Sequence, residues 1–347
     1  MALRVLAEWE AAIQRLTRSG SSTRGLDGIS PGSTCHCSPE ASGVISGMSL
    51  KVLMLDLGET LVHDGVVLPH VAEALEAFAE MQTADEEPLA TCLVSDFKMP
   101  VPPATPSKVA EIFEEYLGLL DEFGLREFFE PVERRATLST HAGVNKPDRR
   151  VFEKALERLE VSAVLSECLF ITENEAHLEA CAALGMQTLH FGSAEGFTDW
   201  AEAPLLVAAK LAAAPAANMA GALGMWLRVK HGMQLLEVEA APRGGIARAK
   251  VKTPCLLPSG ELGGQQLHVE LPAVMECRFD DDGRVSLMAP AAPSEEAVSE
   301  AVHFVKTLKA HGQIAPEEGK LTPGATHQLV TDSDGRAVLK RRRFSAI

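Results

Sequence analysis

Residues 51–62, KVLMLDLGETLV, set the architecture of this 347-residue chain. Val52 to Leu55 are apolar without alternation, then Asp56 and Gly58 break the run. A strand that is apolar on both faces is covered on both faces, which is the habit of a parallel sheet. Further runs of this kind are PLATCLVS (88–95), the weaker VERRATLS (132–139), ECLFIT (167–172) and MQTLHF (186–191). The segments 70–81, 108–123, 149–160 and 175–185 lie between them and carry apolar residues at three- and four-residue steps. Strands alternating with amphipathic helices predict a five-stranded, doubly wound parallel sheet, an α/β Rossmann-like core.

Reactive groups in such a sheet gather at the carboxyl ends of the strands. Asp56 and Thr60 follow the first run, Ser95 closes the second, Lys146 in GVNKPDRRVF precedes a helix, and Glu173 and Asn174 follow the fourth. Taken singly, each has an ordinary structural explanation as a helix cap, turn residue or surface charge.

Taken in order, these residues resemble the four motifs of the haloacid dehalogenase-like (HAD-like) hydrolase superfamily. Asp56-Leu57-Gly58-Glu59-Thr60 matches the first motif, Ser95 the second, and Lys146-Pro147-Asp148 the third. Glu173-Asn174, followed by Ala182-Ala183-Leu184-Gly185-Met186, matches the fourth. The resemblance implies a phosphatase whose nucleophile is Asp56, with Thr60, Ser95 and Lys146 completing the catalytic set. It also implies Mg²⁺ held by Asp56, the Gly58 carbonyl and the fourth-motif residues Glu173 and Asn174. Phosphoryl transfer to a carboxylate and then to water is chemistry that these residue types support.

Two departures bear on activity. The family's second aspartate, which protonates the leaving group, is Gly58 here, and loss of a general acid typically forfeits about 10²–10⁴ in rate. The fourth motif carries Glu173 in place of Asp, with His177 where a further acid often lies. His63 and Asp64 are nearby alternative acids. The segments between Thr60 and Pro88 and between Ser95 and Lys146 are too short for a cap domain, which resembles the capless branch. The expected function is a Mg²⁺-dependent phosphohydrolase acting on a phosphorylated small molecule or phosphoprotein. The alternative is a catalytically silent HAD-like scaffold that binds a ligand or partner through its C-terminal module. Metal-free dehalogenation ranks third, because it needs a cap-enclosed apolar pocket.

The chain length exceeds one ordinary domain of roughly 100–200 residues. Residues 1–47 read as a short helix and a Gly/Ser/Pro-rich tail, 48–212 as the HAD-like domain, 213–230 as a linker, and 231–347 as a strand-rich α+β or β-barrel-like accessory module, the candidate cover for the site. The tail is expected to be dispensable. Cys35 and Cys37 flank His36, but no second Cys/His pair follows at finger-like spacing, so no zinc site is expected.

A net charge of −16 and a pI near 5.2 disfavour nucleic acid and anionic membranes as partners. Seven cysteines, mostly inside apolar runs, read as buried thiols in a reducing, cytoplasmic compartment. No run is long and apolar enough to span a membrane, and oligomeric state leaves no trace in the sequence.

Overall fold

The computed structural model describes residues 49–100, 104–211, 216–238, 245–259, 266–280, 282–288, 291–315, 323–331 and 335–342. The expected N-terminal helix and tail, with Cys35, His36 and Cys37, lie outside the described residues.

The first part of the chain runs β1 (Val52–Leu55), β2 (Val62–His63), β3 (Val66–Val67), α1 (Val71–Ala79), β4 (Ala90–Ser95), α2 (Pro106–Glu122), α3 (Val132–Arg135), β5 (Ala136–Leu138), α4 (Ser139–Ala142), α5 (Arg149–Leu159), β6 (Cys168–Thr172), α6 (Glu175–Ala183), β7 (Gln187–His190) and α7 (Ala203–Lys210). Among the described residues it forms a five-stranded parallel sheet in the order β5-β4-β1-β6-β7, as the sequence predicts. Alternate residues of β1 feed opposite layers, because successive side chains of a strand point to opposite faces. Leu53 and Leu55 pack with α1, α2 and α7, whereas Val52 and Met54 pack with α5 and α6. The chain winds outward from β1 to β4 and β5, then returns past it to β6 and β7. The crevice between β1 and β6 is therefore the topological switch point, where open α/β sheets bind ligands.

Two local readings differ from the expectation. The run VERRATLS divides into a helical turn, α3, and a three-residue strand, β5. Its Glu133-Arg134-Arg135 charges have no place in a strand covered on both faces, so only Ala136, Thr137 and Leu138 enter the sheet. Between Thr60 and Pro88 the chain holds not one helix alone but also the β2–β3 hairpin. Its two-residue turn has positive φ at both Asp64 (49°) and Gly65 (74°), the turn chemistry that suits a tight hairpin.

The stretch 213–230, expected to be a linker, instead carries most of α8 (Ala216–His231). Its Ala and Gly residues resemble linker composition, yet Ala222, Leu223, Trp226 and Leu227 recur at helical spacing and are buried. Asn218 ties α8 to the turn after α1, accepting from the Gln82 N–H at 3.0 Å and donating to the Gln82 carbonyl at 2.7 Å.

Beyond α8 come β8 (Gln234–Val238), β9 (Ile246–Leu256), β10 (His268–Phe279), β11 (Val285–Leu287), α9 (Glu295–Ala310), β12 (Ile314–Ala315), β13 (His327–Thr331) and β14 (Ala337–Arg341). They form a mixed sheet in the order β12-β13-β14-β10-β9-β8, with β11 also on β10. The long β9–β10 ribbon buries one face in two halves. Ala247, Ala249, Val251, Met275, Cys277 and Phe279 join the core beneath α7 and α8, while Val269 and Leu271 meet α9. The junction is close. At Gly283 (φ +91°) an added Cβ would lie 2.4 Å from the Ala209 Cβ and 2.9 Å from the Leu205 carbonyl, so only glycine fits. Among the described residues no helix is long and apolar enough to cross a membrane.

Candidate active site

Asp56 leaves the end of β1 at the switch point, and its carboxylate is met from three directions. Its Oδ1 accepts the Leu57 N–H at 2.9 Å. Its Oδ2 accepts the Thr172 hydroxyl at 3.0 Å and lies 2.5 Å from the Lys146 Nζ. The two charged side chains are 10% and 2% exposed, so this is a buried ion pair. The Lys146 ammonium also lies 5.5 Å from the centroid of the Phe170 ring, a cation–π distance. Its backbone is fixed from the neighbouring strand end, where Asp96 Oδ1 accepts the Lys146 N–H at 2.9 Å.

A second carboxylate sits across Thr172. The Thr172 hydroxyl is 3.1 Å from Glu173 Oε2 and 3.0 Å from Asp56 Oδ2. A hydroxyl carries one hydrogen, so it donates to only one of these acceptors and leaves the other facing oxygen. That arrangement suits a hard divalent cation, which takes oxygen ligands and, as Mg²⁺, binds through one or two carboxylates with water completing the shell. Thr60 braces Glu173 from the first loop: its hydroxyl donates to Glu173 Oε2 at 2.5 Å and accepts the Glu173 N–H at 3.2 Å. Thr60 is in turn fixed by Trp200, whose indole N–H donates to the Thr60 carbonyl at 2.8 Å. The His190 Nε2–H donates to the Glu173 carbonyl at 3.0 Å.

The remaining expected residues fall differently. Ser95 ends β4 and is buried, with its Oγ 2.8 Å from the Tyr116 hydroxyl. Asn174, expected as a metal ligand, is the N-cap of α6, and its side-chain oxygen accepts the His177 N–H at 3.2 Å. The local pattern explains this: Asn directly before a helix caps its free N–H groups. Gly58 is exposed, and a Cβ built on it meets nothing within 4 Å. His63, on the β2–β3 hairpin, bonds the Glu59 carboxylate, which raises its pKa. His177 has its pKa lowered by burial first and then by Lys146, against the opposing pull of Asp56, Asp96 and Glu173. Its Nδ1 is buried without a hydrogen-bond partner among the described residues. Among the described residues no group of three or more His, Cys, Asp or Glu side chains is placed to hold a metal.

Sequence reasoning missed Asp96, His190 and Trp200, which brace the site through the bonds above, and two hydroxyls closer to its centre. Thr172 is the last residue of the ECLFIT run and reads there as strand. Tyr116 lies on the apolar stripe of α2 and reads as core. Burial pushes the Tyr116 phenol pKa up, the Ser95 bond opposes this, and the Asp56 charge adds to it.

Neither a family model nor a curated protein matches the chain. Among solved structures, an uncharacterized protein from Corynebacterium glutamicum ATCC 13032 Kitasato is similar over 42% of this chain and 88% of its own, at 15% identity and a TM-score of 0.27. A HAD family enzyme from Bacteroides thetaiotaomicron, an aspartate-to-alanine mutant in complex with magnesium and inorganic phosphate, is similar over 43% of this chain and 97% of its own, at 16% identity and a TM-score of 0.21. The chain itself has a parallel α/β Rossmann-like core and a separate mixed, strand-rich sheet in its C-terminal region.

Proposed function

We propose that this chain is a HAD-like, Mg²⁺-dependent phosphohydrolase that works through an aspartyl-phosphate on Asp56. One observation carries the reading: a buried carboxylate at the switch point, paired at 2.5 Å with a buried ammonium and flanked by Glu173 one strand away. Burying two charges is costly, and a fold that needed only stability is served as well by apolar residues there. A strongly interacting charged pair in a crevice is a candidate functional site.

In this reading Asp56 attacks phosphorus. The carboxyl O–P bond forms as the ester P–O bond breaks, and the electron pair leaves with the alcohol oxygen. Because residue 58 offers no carboxyl group, that oxygen takes its proton from water. Lys146 shares its charge between Asp56 and the incoming phosphoryl oxygens, and Ser95 donates to one of them. Water then attacks the aspartyl-phosphate, the O–P bond to Asp56 breaks, and inorganic phosphate leaves. Asp56, Glu173 and the Gly58 carbonyl are the groups that would hold Mg²⁺, which when bound would supply the positive charge that lets two anions meet. Thr60 and Thr172 keep Glu173 and Asp56 in register.

The substrate class is a phosphorylated small molecule or phosphoprotein. The test is a panel of phosphorylated metabolites and phosphopeptides, assayed with and without Mg²⁺, with Asp56→Asn as the blank. Turnover that depends on Mg²⁺ and on Asp56 supports the reading, and turnover indifferent to Asp56 refutes it. The silent-scaffold reading is favoured by Gly58 and by the commitment of Asn174 to helix capping. It requires that the whole panel fail.

A further inference from the structure

Tyr116 reaches the site from α2, and its hydroxyl lies 2.8 Å from Ser95 Oγ. Two hydroxyls at this distance share one hydrogen, and either could donate. Both groups are buried, and among the described residues Ser95 Oγ is the one acceptor bonded to the phenol. A buried O–H without an acceptor bears its full desolvation cost, and in the free protein either direction leaves one such hydrogen; a phosphoryl oxygen at the site offers its acceptor to Ser95, and the phenol hydrogen then goes to Ser95 Oγ. The serine's own hydrogen is then left to point elsewhere. The ring that fixes this choice is itself fixed: Phe97 packs edge-on against it, with centroids 5.4 Å apart at 63°. The phenol keeps its proton throughout, because burial and the Asp56 charge both oppose its ionisation.

Building on the phosphohydrolase reading, we propose that Tyr116 is a positioning residue: by donating to Ser95 Oγ it turns the Ser95 hydrogen toward the phosphoryl group that Asp56 receives. Without the phenol, Ser95 rotates among staggered positions and presents its hydrogen to phosphate only part of the time. Tyr116 touches no reacting atom and acts wholly through Ser95.

The test uses the full chain and inorganic phosphate with MgCl₂ as the probe, titrated by calorimetry into the parent, Tyr116→Phe, Ser95→Ala and the double variant. Ser95→Ala is expected to bind phosphate about tenfold more weakly, as for loss of one hydrogen bond to a charged group, and Tyr116→Phe about threefold more weakly, the statistical cost of choosing one of three staggered positions. The double variant is expected to bind no more weakly than Ser95→Ala, since residues acting as one unit are not additive. Additive losses overturn the proposal, because a merely structural tyrosine weakens binding whatever residue 95 is. Unchanged binding in Tyr116→Phe overturns it too, while leaving the phosphohydrolase reading in place. A parent that binds no phosphate and turns over no substrate overturns both. If Tyr116→Phe does not fold, the parent labelled with [¹³Cζ]tyrosine answers instead. The chain has one tyrosine and so one such resonance. It is expected to shift when phosphate binds, and an unmoved resonance at saturating phosphate contradicts the proposal.

Discussion

Removing one member of the Lys146–Asp56 pair is expected to destabilise the fold far more than removing both. Breaking a buried ion pair by deleting one partner costs roughly 3–5 kcal/mol, whereas replacing both by apolar side chains is often neutral. The two halves should not cost the same. Lys146→Met keeps the length of the stem and leaves Asp56 with two hydrogen bonds, from Thr172 at 3.0 Å and Leu57 at 2.9 Å. That loss falls at about 3 kcal/mol, the low end of the range. Asp56→Leu leaves a buried ammonium whose other side-chain neighbour among the described residues is the Phe170 ring, centroid 5.5 Å away. That loss falls at roughly 4–5 kcal/mol, and the double variant stays within about 1 kcal/mol of the parent. Urea unfolding in EDTA, followed by both fluorescence and circular dichroism, measures the cycle provided the transitions coincide and m is unchanged. If either single change costs less than about 1 kcal/mol, or the double change costs the sum of the two, the pair is not buried and coupled as described.

Three other expectations can be checked at the bench. Gly58→Asp meets no steric obstacle, so melting should be unchanged while turnover rises more on alkyl phosphates than on aryl phosphates, whose leaving groups need no proton. Equal rates on both classes, lost in His63→Ala or Asp64→Ala, would move the acid to the hairpin. His141 has its pKa lowered to about 4 by burial first and then by Arg158 and Lys154, and its Nδ1 accepts the Leu138 N–H at 3.0 Å. The unfolded chain therefore binds the proton first: this share of stability is complete above the ordinary value of 6.5 and falls away as pH drops toward 4. Discounted for partial exposure it is about 1–2 kcal/mol, and His141→Gln should flatten the acid limb of a stability–pH curve over that window. An unchanged limb rules the group out. Gly283→Ala drives a Cβ into Ala209 and the Leu205 carbonyl, so a loss of roughly 2–4 kcal/mol and faster proteolysis around the β10–β11 turn are expected. Parent-like melting would show that the junction between the two sheets is looser than its geometry implies.

The parallel sheet was readable because its strands are apolar on both faces and its helices are not, so the two periods separate cleanly in KVLMLDL and RRVFEKALERLE. α8 escaped because Gly221, Gly224 and its alanines mimic a linker, although Ala222, Leu223, Trp226 and Leu227 bury one face of the helix. Asp56 and Glu173 stood out because each follows a buried apolar run, and Lys146 because Lys146-Pro147-Asp148 before a helix resembles the third motif. The neutral members did not. Thr172 and Tyr116 fit a strand end and an apolar helix stripe, and only their distances to Asp56, Glu173 and Ser95 reveal their part. Asn174 shows the converse: the residue type suited a ligand, but its place directly before α6 suited a cap, and the cap is what forms.

Trapping the covalent intermediate tests the nucleophile most directly. A Mg²⁺-supported turnover on an aryl phosphate is quenched in acid, treated with borohydride to reduce any acyl phosphate to the alcohol, and mapped by peptide mass spectrometry. The expected result is conversion of Asp56 to homoserine in the parent and in no other peptide, with none in Asp56→Asn. Sustained, Mg²⁺-dependent hydrolysis with residue 56 recovered only as unmodified aspartate, or with the reduced residue elsewhere in the chain, would contradict the assignment.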